Sequence, residues 1–385
     1  MINAKTIKTE HPGVFIKEEL EARGWSQVDL AYILGMSVAQ LNPILNGKNG
    51  VSPDMAVMLG DAFDVSPEFF ANLQKLYELG QAKVPDAGVK KRASWVSKFP
   101  VREMIKRGWI DDTEADLLDL QMMRFFNANR IEDVPLAGDA EIVAHAAKKT
   151  GYDEVSPTQL VWLWRVRGVA QTIECPDYSE DALKAALPDI RAHMNAKDDL
   201  SRIPHILTRC GVRFVVVEAL PGSKIDGVCT WIDGQPVIGI STRLDRIDNL
   251  CFVIRHEIEH VLQGDGRDGA YSHVDVFDED RDPTLLPDEE KRADAAAAEF
   301  LLPQAKLASF MKRKGRFISE RDVIGFAARH HIHPGVVIGQ IQRERHKQGD
   351  DRAYSWLRKY LTNVRNYMIA WEYVDGWGKV APVRL

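Results

Sequence analysis

The stretch VIRHEIEHVLQG, Val253 to Gly264, places two histidines four residues apart and a glutamate directly after the first. Around them lie Ile254, Ile258, Val261 and Leu262, at a spacing that predicts a helix with one face in a core. Two imidazoles and a carboxylate are costly to bury there unless each has a partner. Positions four apart share one face of a helix, so His256 and His260 can reach one zinc ion. Glu257 lies about a hundred degrees round from His256, near enough to polarise a water on that ion. A third protein ligand is needed, with a fourth position left open. The bland alternative is a core helix whose histidines happen to fall at this spacing. Chance supplies the pattern in roughly a few per cent of chains this long, so context must decide.

The context is a second segment about thirty residues on, DEEKRADAAAAEFLLP. It predicts a helix with an alanine face, which permits close approach to a neighbour. Glu290 and Asp294 lie four apart on it. One could complete the metal site, and the other could hold a ligand histidine through its far ring nitrogen. Glu289, next in line, competes with Glu290.

The two segments together resemble the ImmA/IrrE family of zinc metallopeptidases. Those pair an HExxH helix with a later helix of the form E-x-x-A-(N/D)-x-x-A-x-x-(L/F)-L-x-P. Here Glu290, Ala293, Asp294, Ala297, Phe300, Leu301 and Pro303 meet that form. The resemblance implies that His256, His260 and Glu290 hold zinc, that Asp294 supports a ligand from behind, and that Glu257 is the catalytic base. The segment from Leu220 to Glu257 resembles the strands and lead-in helix of the same family. Ala296 departs from the pattern, standing where the family usually has an aromatic.

The rest of the chain bounds the fold. Its 385 residues allow two or three domains. With 45% hydrophobic and 28% charged residues it has the composition of a soluble protein. A net charge of -6 gives no overall attraction for nucleic acid or anionic membrane, so such binding needs a local patch. Cys175, Cys210, Cys229 and Cys251 are scattered, with no CxxC pair, which argues against a cysteine zinc knuckle or a disulfide framework. No apolar stretch approaches ~20 residues, and the first residues lack a leader-like core. A reduced, cytoplasmic protein without a membrane span is expected.

Residues 1–79 predict five short helices. Ser26, Ser37, Ser52 and Ser66 are candidate N-caps, Pro53 and Pro67 stand at first helical positions, and Gly35 and Gly47 end helices. Helix, glycine turn, helix is the layout of a helix-turn-helix. This region resembles the HigA-like antitoxins, a branch of the Xre/Cro-type regulators. His11-Pro12-Gly13, Ser26-Gln27, Leu45-Asn46-Gly47-Lys48 and Ser66-Pro67-Glu68-Phe69 carry the resemblance. It implies that Gln27, Ser37, Gln40, Asn42 and Lys48 contact double-stranded operator DNA, the amides suiting adenine and Lys48 a phosphate. The local charge argues the other way. Between Val14 and Val65 the basic residues are Lys17, Arg23 and Lys48, against seven acidic ones from Glu18 to Asp64. Pro43 also falls inside the recognition helix, at a cost of order 3 kcal/mol. A basic stretch from Lys90 to Arg107 is the nearest compensating patch.

Residues 80–92 read as a linker and 93–210 as a helical middle region. Residues 211–315 carry short β-branched runs that predict strands and, by the resemblance, would form the zinc peptidase core, with 316–385 a helical C-terminal region. The expected class is α+β and predominantly helical: a five-helix N-terminal domain, then a zincin-like domain with a small sheet. His330, His331 and His333 cluster, but a helix end with solvated side chains explains them better than a second metal site. His273 and Tyr271 are candidates for stabilising an oxyanion. The function this implies is a homodimeric DNA-binding regulator carrying a zinc endopeptidase. Its protein substrate would be a helix-turn-helix repressor or antitoxin, with room for a toxin partner. The competing reading is a non-catalytic antitoxin or repressor that uses the peptidase fold as a sensor or protein-binding module.

Overall fold

The computed structural model describes residues 10–82, 86–136, 155–267, 273–275, 286–315, 317–368, 371–375 and 382–383. The chain forms two compact units, residues 1–86 and 87–385.

Among its described residues the first unit has five helices: α1 (Pro12–Arg23), α2 (Gln27–Ile33), α3 (Val38–Leu45), α4 (Pro53–Phe63) and α5 (Pro67–Gln81). The serines start helices as expected. Ser26 and Ser37 each form a reciprocal capping box, and Ser52 and Ser66 accept from backbone amides of their own helices. Gly24, Gly35 and Gly47 take left-handed φ at helix ends. Ile16, Leu30, Leu41, Leu59 and Phe70 close a core of their own. Helix α3 runs through Pro43, and the amides of Asn46 and Lys48 bond back to the Asn42 and Pro43 carbonyls, so the helix continues past the proline to Leu45.

The second unit begins with α6 (Ala87–Val96), which starts inside the segment 80–92 expected as a linker. Helices α7 (Val101–Lys106), α8 (Ala115–Phe125), α9 (Pro157–Gln171), α10 (Glu180–His193) and α11 (Arg202–Arg209) follow. Then come strands β1 (Arg213–Val217), β2 (Gly227–Ile232) and β3 (Gln235–Ile240). Asp233 and Gly234, both at positive φ, make the two-residue turn that joins β2 to β3. Helix α12 (Ile247–Gln263), strand β4 (His273–Asp275) and helices α13 (Asp288–Leu301), α14 (Gln304–Lys314), α15 (Glu320–His330), α16 (Pro334–Lys347) and α17 (Arg365–Met368) come next. Strand β5 (Val374–Asp375) is last.

The sheet order is β4-β2-β3-β1-β5. Strand β2 is antiparallel to β3 and β4, while β1 is parallel to β3 and β5. Both faces are covered, which is why the strands read as nearly continuous apolar runs. Phe214 and Val216 of β1, with Ile238 and Ile240 of β3, face the core that contains α12. Val215, Val217 and Val237 face a second core with α9, α8 and Trp95 of α6. The middle, core and C-terminal regions expected as separate stretches thus pack into one unit, because the two faces of one sheet draw helices from all three. The tail, expected to be helical, also supplies an edge strand. Asp375 of β5 is fully buried and receives a two-pronged bond from Arg165 (2.5 and 2.8 Å), a third from Trp109 Nε1 (2.6 Å) and a fourth from the Val383 amide (2.8 Å).

Candidate metal centre

Helix α12 is buried along nearly its whole length. His256, Glu257 and His260 are 1%, 0% and 0% exposed, a setting in which polar groups need partners. Helix α13 packs on α12 through Ala293 and Ala297, both fully buried. With no larger side chain between the axes, Glu290 reaches the histidines. His256 Nε2 and His260 Nε2 lie 3.0 Å apart. Glu290 oxygens lie 3.4 Å from the first and 3.6 Å from the second. Ligand atoms about 2.0–2.2 Å from a tetrahedral metal stand about 3.3–3.6 Å from one another; the two Glu290 separations fall in that range and the two imidazole nitrogens stand somewhat closer, at 3.0 Å. Glu290 completes the group rather than Glu289.

The outer nitrogens strengthen the match. His256 Nδ1 lies 3.0 Å from Asp294 Oδ1, and His260 Nδ1 lies 2.9 Å from Asp265 Oδ2. A carboxylate at Nδ1 keeps the proton on that nitrogen and leaves Nε2 as a bare lone pair. Two such lone pairs and a carboxylate converging on one point form a donor set that fits a cation. Asp294 is the carboxylate behind His256. Asp265 was missed by sequence reasoning. It is aimed by Gly264, whose left-handed φ of 69° ends α12 and turns the chain back, with the Asp265 amide bonding to the His260 carbonyl. The only trace in the sequence is a Gly-Asp pair one turn after a histidine.

Glu257, fully buried on the same helix, sets its carboxylate against Gly227 of β2. A Cβ built on Gly227 would overlap its carboxylate, so the glycine makes the space in which that carboxylate lies. Of the oxyanion candidates, Tyr271 lies outside the described residues. His273 lies in β4, where its backbone pairs with Cys229 beside the centre's own strand. The C-terminal histidines have structural duties: His333 caps α16 by accepting from the Gly335 amide (3.0 Å), and His331 ends α15 at positive φ.

In the first unit, Gln27 opens α2, Ser37 caps α3, and Lys48 lies in the turn after α3, all three exposed. Asn42 is half-buried on α3. Gln40 is exposed, but its Oε1 accepts from the Ser37 amide and hydroxyl, both at 3.0 Å. Its carbonyl is therefore engaged in the cap, which leaves its amide hydrogens to face a partner. In the basic stretch after residue 86, Lys91 bonds Asp119 (2.9 Å) and Arg107 donates to the carbonyls of Glu218 and Ala219. Those two cations are committed within the second unit, which reduces the phosphate-binding patch expected there.

Comparison with known proteins bears on each unit. Residues 16–70 match a helix-turn-helix family, and residues 211–338 match the IrrE N-terminal-like domain family of peptidases. The chain carries both domains. A curated relative, virulence-associated protein A' of Dichelobacter nodosus, is 43% identical over 72 residues, which is 18% of this chain. The chain spans 63% of that relative's length. Among solved structures, the antitoxin HigA of Pseudomonas aeruginosa, determined with its higBA promoter, is 37% identical. The match covers 19% of this chain and 82% of that one, with a TM-score of 0.19. A HigA-family addiction module antidote protein from Coxiella burnetii is 29% identical over 24% of this chain and 94% of that one, also with a TM-score of 0.19. Among the described residues no single helix is long and apolar enough to cross a membrane.

Proposed function

We propose that this chain is a cytoplasmic DNA-binding regulator whose second unit is a zinc endopeptidase, acting on a helix-turn-helix repressor or antitoxin. The observation that carries the reading is the convergence of His256, His260 and Glu290 with a carboxylate behind each histidine. Bound zinc would supply a Lewis acid and bring the pKa of a coordinated water down toward ~7. His256, His260 and Glu290 would hold the ion, and Asp294 and Asp265 fix the two rings. Glu257 takes a proton from the attacking water and returns it to the departing amine nitrogen. Its carboxylate lies against Gly227 and is not one of the three converging ligands. Zinc content together with cleavage of neighbouring-gene products, read by mass spectrometry, tests this. Glu257→Gln should keep the zinc and lose about 10²–10⁴ in rate, and His256→Ala should lose the metal as well. Cleavage by Glu257→Gln at the parent rate would remove the general base from the scheme.

The first unit would bind operator DNA as a homodimer, with α3 in the major groove and Gln27, Ser37, Gln40, Asn42 and Lys48 in contact. A toxin encoded nearby would be a further partner. Because the unit is acidic, the phosphate contribution is small, and affinity for promoter DNA should fall less steeply with salt than for a basic regulator of equal size. Asn42→Ala should cost about 1–3 kcal/mol and relax base preference. A gel-shift series across salt concentrations measures both, and no binding to the chain's own promoter at any salt would make this unit a protein-binding module.

A further inference from the structure

Strand β2 meets α12 through every second residue. Gly227 makes the space in which the Glu257 carboxylate lies, and Cys229 joins the core around α12. Val228 and Ile232 face the core on the other side of the sheet, as alternation along a strand requires. The next residue on the α12 face is Trp231, 8% exposed, whose Nε1 donates to the carbonyl oxygen of Asp265 at 2.8 Å. Asp265 is the carboxylate behind His260. One face of one strand thus touches both Glu257 and the support of a candidate ligand.

That support needs holding. Asp265 stands between Gly264 and Gly266, both in the left-handed region, with φ of 69° and 77°. Glycine restrains the backbone less than any other residue, so these flanks leave the Asp265 carboxylate free to swing. Three contacts oppose the motion. The Asp265 amide bonds to the His260 carbonyl at 2.9 Å. Arg292 Nη2 lies 3.4 Å from Asp265 Oδ2, but the arginine is 44% exposed, and an ion pair of that kind holds little. The Asp265 carbonyl accepts from the Trp231 indole; the Cys229 thiol, at 3.9 Å, is the weaker donor to it. The indole is itself held in place. The Tyr178 ring meets it edge-on at 5.5 Å, and the Arg267 guanidinium lies 5.3 Å from its centre.

Resting on the zinc reading of this centre, we infer that Trp231 is a positioning residue for the metal. Its indole N–H holds the Asp265 carbonyl, and through Asp265 it fixes the His260 ring in the orientation that aims Nε2 at the ion. The bond is buried and made from a strand, so it restrains Asp265 more than the exposed arginine does. A histidine whose outer nitrogen loses its fixed acceptor binds metal less tightly, which gives Trp231 an effect on zinc without contact with it.

The test measures zinc dissociation constants of full-length proteins by dye competition, with circular dichroism checking the fold of each. Trp231→Phe keeps an aromatic ring and loses the donor. Trp231→Gln loses the ring and keeps a side-chain N–H of similar reach. Zinc binding should weaken about fivefold in Trp231→Phe and less in Trp231→Gln. A role in packing alone predicts the opposite order. Trp231→Phe combined with Asp265→Ala should bind zinc about as weakly as Asp265→Ala alone, because Trp231 acts through that carboxylate; independent effects would multiply. Either tryptophan variant can supply the cycle if the other does not fold. Parent-level affinity in Trp231→Phe, the reversed order, or multiplied effects in the double variant would each overturn the inference. A parent protein that takes up no zinc would remove the metal reading and this inference with it, and the same titration shows that before any variant is made.

Discussion

Asp265 and Gly227 shape the candidate centre as much as the histidines do, yet neither was legible in the sequence. The spacing of His256, Glu257 and His260 carries its own geometry, because a helix fixes which residues share a face. Glu290 and Asp294 were both candidates by spacing, and the family pattern separated them. Asp265 depends on the left-handed turn at Gly264, and Gly227 on a contact made thirty residues away in sequence; no local pattern encodes either. Their expected effects differ in kind. Asp265→Asn should leave His260 poorly oriented and weaken zinc binding about 10–100-fold, measured by competition with a chelating dye. Gly227→Ala should leave zinc binding near the parent level but displace the Glu257 carboxylate, lowering cleavage about a hundredfold. If Gly227→Ala lost the metal and Asp265→Asn kept it, the two roles would have to be exchanged.

The tetrapeptide His-Pro-Gly-Val opens two helices, α1 at residues 11–14 and α16 at residues 333–336, and it works the same way in both. The histidine Nδ1 accepts from the glycine amide at 3.0 Å, proline takes the first helical position, and glycine admits a neighbouring backbone. At Gly13 the neighbours are the carbonyls of Ile44 and Leu45; at Gly335 it is the carbonyl of Tyr360. Serine caps were legible because Ser-Pro and Ser-x-x-Gln are familiar helix openings. A histidine cap was not, since imidazole seldom has that duty. The cap requires an unprotonated Nδ1, which makes it sensitive to pH. Burial, which includes the edge of Tyr77 at 4.8 Å, pushes the His11 imidazole below its usual 6.5, with a backbone bond at Asn49 partly opposing. For a group with a lowered pKa, the stabilisation is complete above 6.5 and is lost as pH falls through the folded-state value. Protection of the α1 amides should therefore drop between pH 7 and 5 more in the parent than in His11→Asn, which keeps an acceptor but does not titrate. Hydrogen exchange on both proteins at matched pH makes the comparison, and identical curves would leave the cap without a titrating role.

In the second unit the strand-forming runs were legible at residues 213–240, but the tie that fastens the end of the chain to them was not. Strand β5 has two residues, too few for any periodicity to show. Its anchor is a buried carboxylate whose partners, Trp109 and Arg165, are more than two hundred residues away. That distance also explains why three regions that looked separate in sequence form one unit. Taking two charges out of water is costly, and their attraction repays the cost only when the remaining bonding capacity is filled. Asp375 meets that condition, with four donors on its two oxygens. Removing one partner leaves the other charge buried and alone. Asp375→Ala should thus cost about 3–5 kcal/mol, a large part of the ~5–15 kcal/mol that holds a typical domain. The double change Arg165→Met with Asp375→Leu removes both charges and should recover most of that loss. Urea unfolding of the three proteins gives the comparison. If the single variant lost under 1 kcal/mol, the buried pair would not be what holds β5 to the sheet. If the double variant were less stable than the single one, the pair would contribute through its geometry more than through the penalty of an unpaired charge.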